Sequence, residues 1–288
     1  YLVIAVVYGL SGAANNPINT YLPSKIVEKS LMGRFNSFAY ILRCFSSIVG
    51  YIFTAIFLTN GKSLTIVIAV FISYFLAYLA LLNVDKENLE YKMDSSFKDS
   101  YSYLIKKNEN KKFKIVSGLR SCIIIESLIA VQFYFYITLM NLKTFTTLYV
   151  VSTVVELLSL FVSGKKLDKD QIKTFNVISI IKGIITSVFL FAKNTYILMV
   201  NQSVYKLVDN VYDSSYLALS QCKVENDKKD TMLLAIVHEM CLCFCEFVIL
   251  LMLLIISTIN INLLFKVMFI NSIVAILINV KLIKQWNS

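Results

Sequence analysis

Apolar residues in this chain run in long, unbroken stretches separated by short, lysine-rich polar breaks. A helix that crosses a bilayer needs about 20 consecutive, mostly apolar residues. Nine stretches reach that length: 1–22, 37–58, 63–84, 115–138, 144–163, 172–192, 194–219, 232–257 and 259–280. Segments such as 63–84 are apolar all round, without the period of two that marks barrel strands, so they predict helices. The expected fold is an all-α polytopic membrane protein with nine transmembrane helices.

Composition agrees with that pattern. Of 288 residues, 57% are hydrophobic and 16% charged, against about 45–50% and about 25% in a soluble domain. The 8 Gly and 2 Pro exclude fibrous and loop-rich disordered classes. There is 1 His and no Cys-x-x-Cys, so no metal and no cofactor are expected. Cys44, Cys122, Cys241, Cys243 and Cys245 lie in apolar runs and read as small packing residues. The chain opens at Tyr1, directly on an apolar run and without the basic region of a signal peptide, so the start reads as truncated.

Charge gives the expected orientation. With nine helices the connections alternate between the two sides, and Lys and Arg mark the cytoplasmic one. The connections 23–36, 85–114, 164–171 with Lys173, 220–231 and the tail from 281 hold 20 of the 28 Lys and Arg. The opposite set holds only Lys62, Lys143 and Lys193. A multi-pass protein of the plasma membrane with a cytoplasmic C-terminus is expected. The net charge of +10 then reflects topology and anionic lipid headgroups, not a nucleic-acid partner.

The longest connection, 85–114, carries eight Lys and six acidic residues. Met93, Phe97, Tyr101 and Leu104 recur there at helical spacing, as on an amphipathic helix at the membrane surface or within a solvated linker. It divides the chain into a three-helix remainder (1–84), a cytoplasmic linker (85–114) and a six-helix bundle (115–288).

Three helices, a long basic inner loop and six helices resemble helices four to twelve of the major facilitator superfamily. Gly164-Lys-Lys-Leu-Asp168-Lys169 resembles that family's Gly-x-x-x-Asp-Arg/Lys loop motif, where a second copy is expected after the eighth helix. Asn16-Pro-Ile-Asn-Thr-Tyr21-Leu22 and Asn210-Val-Tyr-Asp-Ser-Ser-Tyr216-Leu217 end the first and seventh spans alike, in the manner of two related halves. The resemblance implies alternating access around a central cavity lined by the first, fourth and seventh spans.

Ionisable and polar groups inside a bilayer are expensive, so each is a candidate for function. In the seventh span Gln202, Lys206, Asp209 and Asp213, with Asn210 beside them, step along one helix face. Lys206 is there the nearest cation for Asp209; the stripe reads as a structural pair or as a cavity wall. In the first span Asn15, Asn16 and Asn19 share a face that suits substrate or close helix packing. Glu126, with Gln132 further along the fourth span, is a candidate proton carrier, or a carboxylate neutralised by Lys182 or Arg120. Glu246 is a weaker candidate for the same role. Arg43 and Arg120 are expected to snorkel. His238, Cys241 and Cys245 share a face, but three ligands on one helix rarely close a metal site.

These readings describe a secondary transporter of a small solute, coupled to protons or another ion, with efflux of an amphipathic compound favoured. A non-transporting membrane sensor or scaffold is the alternative. No phosphate-binding loop and no nucleophile–base constellation is present, so an enzyme is not expected.

Overall fold

The computed structural model describes residues 20–21, 23–24, 26–59, 63–82, 98, 102, 111–127, 131, 134, 142–191, 194–226 and 231–284. Among these residues the protein is all-helical. The helices are α1 (Met32–Thr59), α2 (Ser63–Leu82), α3 (Lys111–Ile125), α4 (Leu142–Lys169), α5 (Gln171–Phe191), α6 (Thr195–Asn226), α7 (Thr231–Ile259) and α8 (Ile261–Ile283). A 3-10 turn, Lys29–Leu31, leads into α1.

Short polar residues set the breaks in the second half. One residue, Asp170, separates α4 from α5, and its Oδ1 accepts the amide of Lys173 at 3.0 Å. Asn194 caps α6 by accepting the Tyr196 amide at 2.8 Å. Asn260, with extended backbone, caps α8 by accepting the amides of Asn262 and Leu263. Each satisfies donors that the first helical turn leaves without an intrahelical acceptor.

The helices turn their apolar side outward. On α1, Phe38, Leu42, Phe45, Val49, Ile52 and Ile56 form an exposed stripe at steps of four and three. On α7, Phe244, Phe247, Leu251 and Leu254 do the same. The interior meanwhile buries Glu126, Glu156, Lys182, Gln202, Asp209 and Asn279. Apolar rim and polar centre is the arrangement a hydrocarbon solvent selects.

Three helices are long and apolar enough to cross a membrane: Gln171–Phe191, Leu233–Ile259 and Ile261–Ile283. That count, taken over the described residues, does not support the nine spans expected from the sequence. The stretch 1–22 lies almost wholly outside those residues. In α6 the cause is chemical: Asn201, Gln202, Lys206, Asp209, Asn210 and Asp213 dilute its apolar surface. The surface helix expected within 85–114 also lies outside the described residues, except at 98, 102 and 111–114.

Helix α6 is the hub, packing on α1, α4, α5 and α7, while α8 joins α3 to α5. Helix α1 lies along α4 as well as α6. Glycine makes the α1–α4 approach possible. A Cβ on Gly33 would sit 2.5 Å from Leu167 Cβ, and one on Gly164 would sit 3.0 Å from Ser37 Oγ.

Candidate functional site

The predicted stripe on α6 divides between two sets of partners. Successive residues of an α-helix are offset by about 100°, so steps of four, three and four spread a stripe across a broad arc. Asp209 and Asp213, joined by Tyr205, Tyr212 and Tyr216, turn into the space bounded by α3, α5 and α8. Lys206 and Asn210 turn toward α1 and α4.

The first flank builds a buried polar column. Its top is Glu126, in the π-helical turn that ends α3 and fully buried. Thr186 donates to its Oε1 at 3.1 Å; Tyr205 and Ser272 donate to its Oε2 at 2.9 and 3.0 Å. Three neutral hydroxyls from α5, α6 and α8 thus hold one carboxyl group.

Next along α6, Lys182 Nζ lies 2.5 Å from Asp209 Oδ1. The same ammonium stands 5.4 Å from the Tyr205 ring centroid and 4.7 Å from that of Tyr212. Those aromatic faces add a favourable quadrupole contact to a cation that has left water. Lys182 also acts electrostatically on Glu126. One cation therefore serves two carboxyl groups and forms its contact ion pair with Asp209.

A second pair follows. Arg120 Nη2 lies 3.1 Å from Asp213 Oδ1, and its guanidinium stacks 4.1 Å over Tyr216. Tyr212 and Asn279 face each other without closing a hydrogen bond of normal geometry. His238 ends the column, between Phe113 and Tyr216. Its Nδ1 is 2.6 Å from Ser117 Oγ, and the Ser117 hydroxyl already donates to the Phe113 carbonyl, so Nδ1 carries the proton. From Tyr205 to Tyr216 along α6 the column is about 17 Å long at about 1.5 Å per residue. Beyond Glu126 an aromatic plug of Tyr134, Phe189, Phe265 and Phe269 closes it.

The second flank carries amide and hydroxyl contacts. Asn210 Nδ2 reaches Cys44 Sγ on α1 at 3.7 Å. Further along, buried Asn36 on α1 donates to Gln221 Oε1 at 2.7 Å. Glu156 on α4 is buried, with Lys206 as its leading cation and Cys44 beside it, and among the described residues its Oε1 has no hydrogen-bond partner. Gln202 leaves both amide atoms similarly unpartnered.

Several expectations need correction. The contact partner of Asp209 is Lys182 from α5, not Lys206 one turn earlier, because Lys206 points to the opposite flank. Arg120 does not snorkel; it is buried against Asp213 and Tyr216. Gly164, Asp168 and Lys169 belong to the last turns of α4 rather than to a loop. Asp168 there accepts the backbone amide and the guanidinium of Arg34 at the start of α1. Glu246 stays on the partly exposed side of α7, near Cys243, and makes no contact ion pair among the described residues. Asn15, Asn16, Asn19 and Gln132 lie outside the described residues. Among the described residues no group of three or more His, Cys, Asp and Glu could hold a metal ion.

Sequence reasoning named Lys182 as a cation for Glu126 but missed its contact pair with Asp209, and it missed the roles of Thr186, Tyr205, Ser272 and Glu156. One signal was available: tyrosines at 205, 212 and 216 share the heptad-like spacing of Gln202 and Asp209. The hydroxyls of Thr186 and Ser272 carried no such mark. Comparison with protein-family models, with curated proteins and with solved structures finds no match to this chain.

Proposed function

We propose that this chain is the working part of a secondary transporter of the major facilitator type, moving a small solute across the plasma membrane by alternating access. In this reading its apolar stretches form nine spans with a cytoplasmic C-terminus. The observation that carries the transport reading is Glu126, a fully buried carboxyl group whose hydrogen bonds among the described residues come from three hydroxyls, while the adjacent cation makes its contact pair with Asp209. Ionisable groups are retained inside a membrane bundle at a cost of several kcal/mol, typically about 2.5–3.5 each, and mark ion or substrate pathways.

The mechanism follows from the shared cation. With a proton on Glu126, Lys182 belongs wholly to Asp209. Loss of that proton leaves two carboxylates competing for one ammonium and draws Lys182 along α5 toward Glu126. That shift loosens α5 from α6 at Asp209 and couples the proton to helix movement. The hub position of α6 carries the movement to α1 and α4, where Lys206, Glu156 and Asn210 line the seam between the two parts of the chain. Solute passes along this seam, and a proton gradient drives its efflux.

The test is flux in proteoliposomes under an imposed pH gradient, with a panel of labelled amphipathic cations and neutral solutes. Gradient-dependent movement of at least one solute above protein-free vesicles is expected; its absence across the panel overturns the reading. A non-transporting sensor or scaffold is the second reading. It is favoured by the contact pairs Lys182–Asp209 and Arg120–Asp213, which compensate those charges inside the bundle.

A further inference from the structure

Helices α3 and α7 run side by side in the same direction: Ser117 meets His238, and one turn on the Ser121 hydroxyl donates to the Leu242 carbonyl at 2.8 Å. Their outer seam is not filled. Gly118 brings no side chain to it, and a Cβ there would stand 2.8 Å from Cys245 Sγ. The small residues Gly118, Cys122, Cys241 and Cys245 leave an apolar groove of about 500 Å³, with Ile115 and Leu119 on one wall and Phe244 and Ile249 on the other. That volume lies within the range of small-ligand sites, about 300–1,000 Å³. Along α3, from Lys114 to Cys122, the groove is about 12 Å long at about 1.5 Å per residue.

The groove has a level in the bilayer and one charged end. The segment Leu233–Ile259 of α7 is long and apolar enough to cross a membrane. From Cys241 to Ile259 it covers about 27 Å at about 1.5 Å per residue, close to a hydrocarbon thickness of about 30 Å. Cys241 therefore stands near one boundary, beside Lys114, while Cys245 and Ile249 lead inward. Lys111 and Lys112 occupy the opening turn of α3 and are exposed. They lie three or four residues before Ile115, on the side of the helix that continues into the groove wall. That turn carries no acidic residue. Of the acids on α7, Glu239 turns inward, 3.9 Å from His238 Nε2, and Glu246 lies deeper along the helix, near Cys243. Lys114 has an interaction of its own, so the charge offered at the mouth is that of Lys111 and Lys112. Lysines at headgroup level favour anionic lipid.

An apolar groove beneath two exposed ammonium groups matches a molecule that is apolar at one end and anionic at the other. We propose that the groove holds one acyl chain of an anionic phospholipid whose headgroup rests on Lys111 and Lys112. The inference rests on the membrane placement of α7 and not on the transport reading, and its readout is binding rather than flux. The purified full chain is placed in nanodiscs with a trace of phosphatidylglycerol or phosphatidylcholine, each carrying a diazirine at mid-chain, then irradiated and mapped by mass spectrometry. Crosslinks to the groove residues are expected about tenfold more often with phosphatidylglycerol, the order that two lysines at a membrane surface give. Exposed Phe71 and Phe75 on α2 serve as the reference for general lipid contact and should not distinguish the two lipids. Lys111→Gln with Lys112→Gln should bring the groove yield down to the phosphatidylcholine level, and the Arg counterparts should keep it. Equal groove yields from the two lipids in the wild-type chain overturn the proposal, as does a preference for phosphatidylglycerol no greater in the groove than on α2. So does an undiminished preference in a folded Gln variant.

Discussion

The two flanks of α6 carry similar residues and handle them differently. Toward α3, α5 and α8, Asp209 and Asp213 each meet a cation from a neighbouring helix, and the surrounding tyrosines are fully buried. Toward α1 and α4, Asn210 meets only a cysteine sulfur at 3.7 Å, and Glu156 keeps one oxygen without a hydrogen bond among the described residues. The first flank closes its charges in contact ion pairs, and the second is held by the Asn36–Gln221 and Ser159–Leu207 hydrogen bonds and by the glycine-permitted approach of α1 to α4.

This contrast can be broken most severely at the first flank. Asp209→Asn leaves Lys182 buried without its counter-charge, so stability should fall by about 3–5 kcal/mol. Abundance and thermal midpoint of the full chain measure it. Replacing both partners, Lys182→Met with Asp209→Leu, should restore most of the loss. Equal loss in single and double variants would mean the pair does not hold α5 to α6.

The α1–α4 contact comes next. Gly33→Val forces a branched side chain into Leu167 and Asp168. Overpacking of this kind costs about 1–3 kcal/mol. The expected sign is a lowered midpoint together with faster disulfide formation between cysteines introduced outside the seam. An unchanged midpoint would place α1 further from α4 than the glycine contact requires.

The smallest effect is expected at the start of α8. Asn260→Ala removes a side chain that accepts two amides, and should cost about 0.5–2 kcal/mol with no change in flux. A larger loss would show that the α7–α8 turn does more than cap a helix.

The sequence was readable where one helix decides the outcome. The span expected at 172–192 is Gln171–Phe191, because a polar residue caps one end and the apolar run stops at the other. The span expected at 144–163 fell short: α4 runs on to Lys169, since lysines and leucine are good helix formers and Asp170 stops the helix only afterwards. Burial of Glu126 and Asp209 was legible from their depth in apolar runs. Their partners were not. Lys182 lies 27 residues from Asp209 and Ser272 lies 146 from Glu126, and helical periodicity carries no information across such separations. The division of the α6 stripe was hidden for the same reason, because a face is defined by what packs against it.

The most direct test of the account is gradient-driven flux by Glu126→Gln, reconstituted beside the wild-type chain at matched protein content. Glutamine keeps the size of the side chain, and the hydroxyls of Thr186, Tyr205 and Ser272 can still bond to its amide, but it cannot carry a proton. Folded abundance close to wild type, with pH-gradient-driven flux lowered at least about tenfold and solute exchange without a gradient retained, is the predicted result. Normal abundance with unaltered gradient-driven flux would contradict the role given to Glu126.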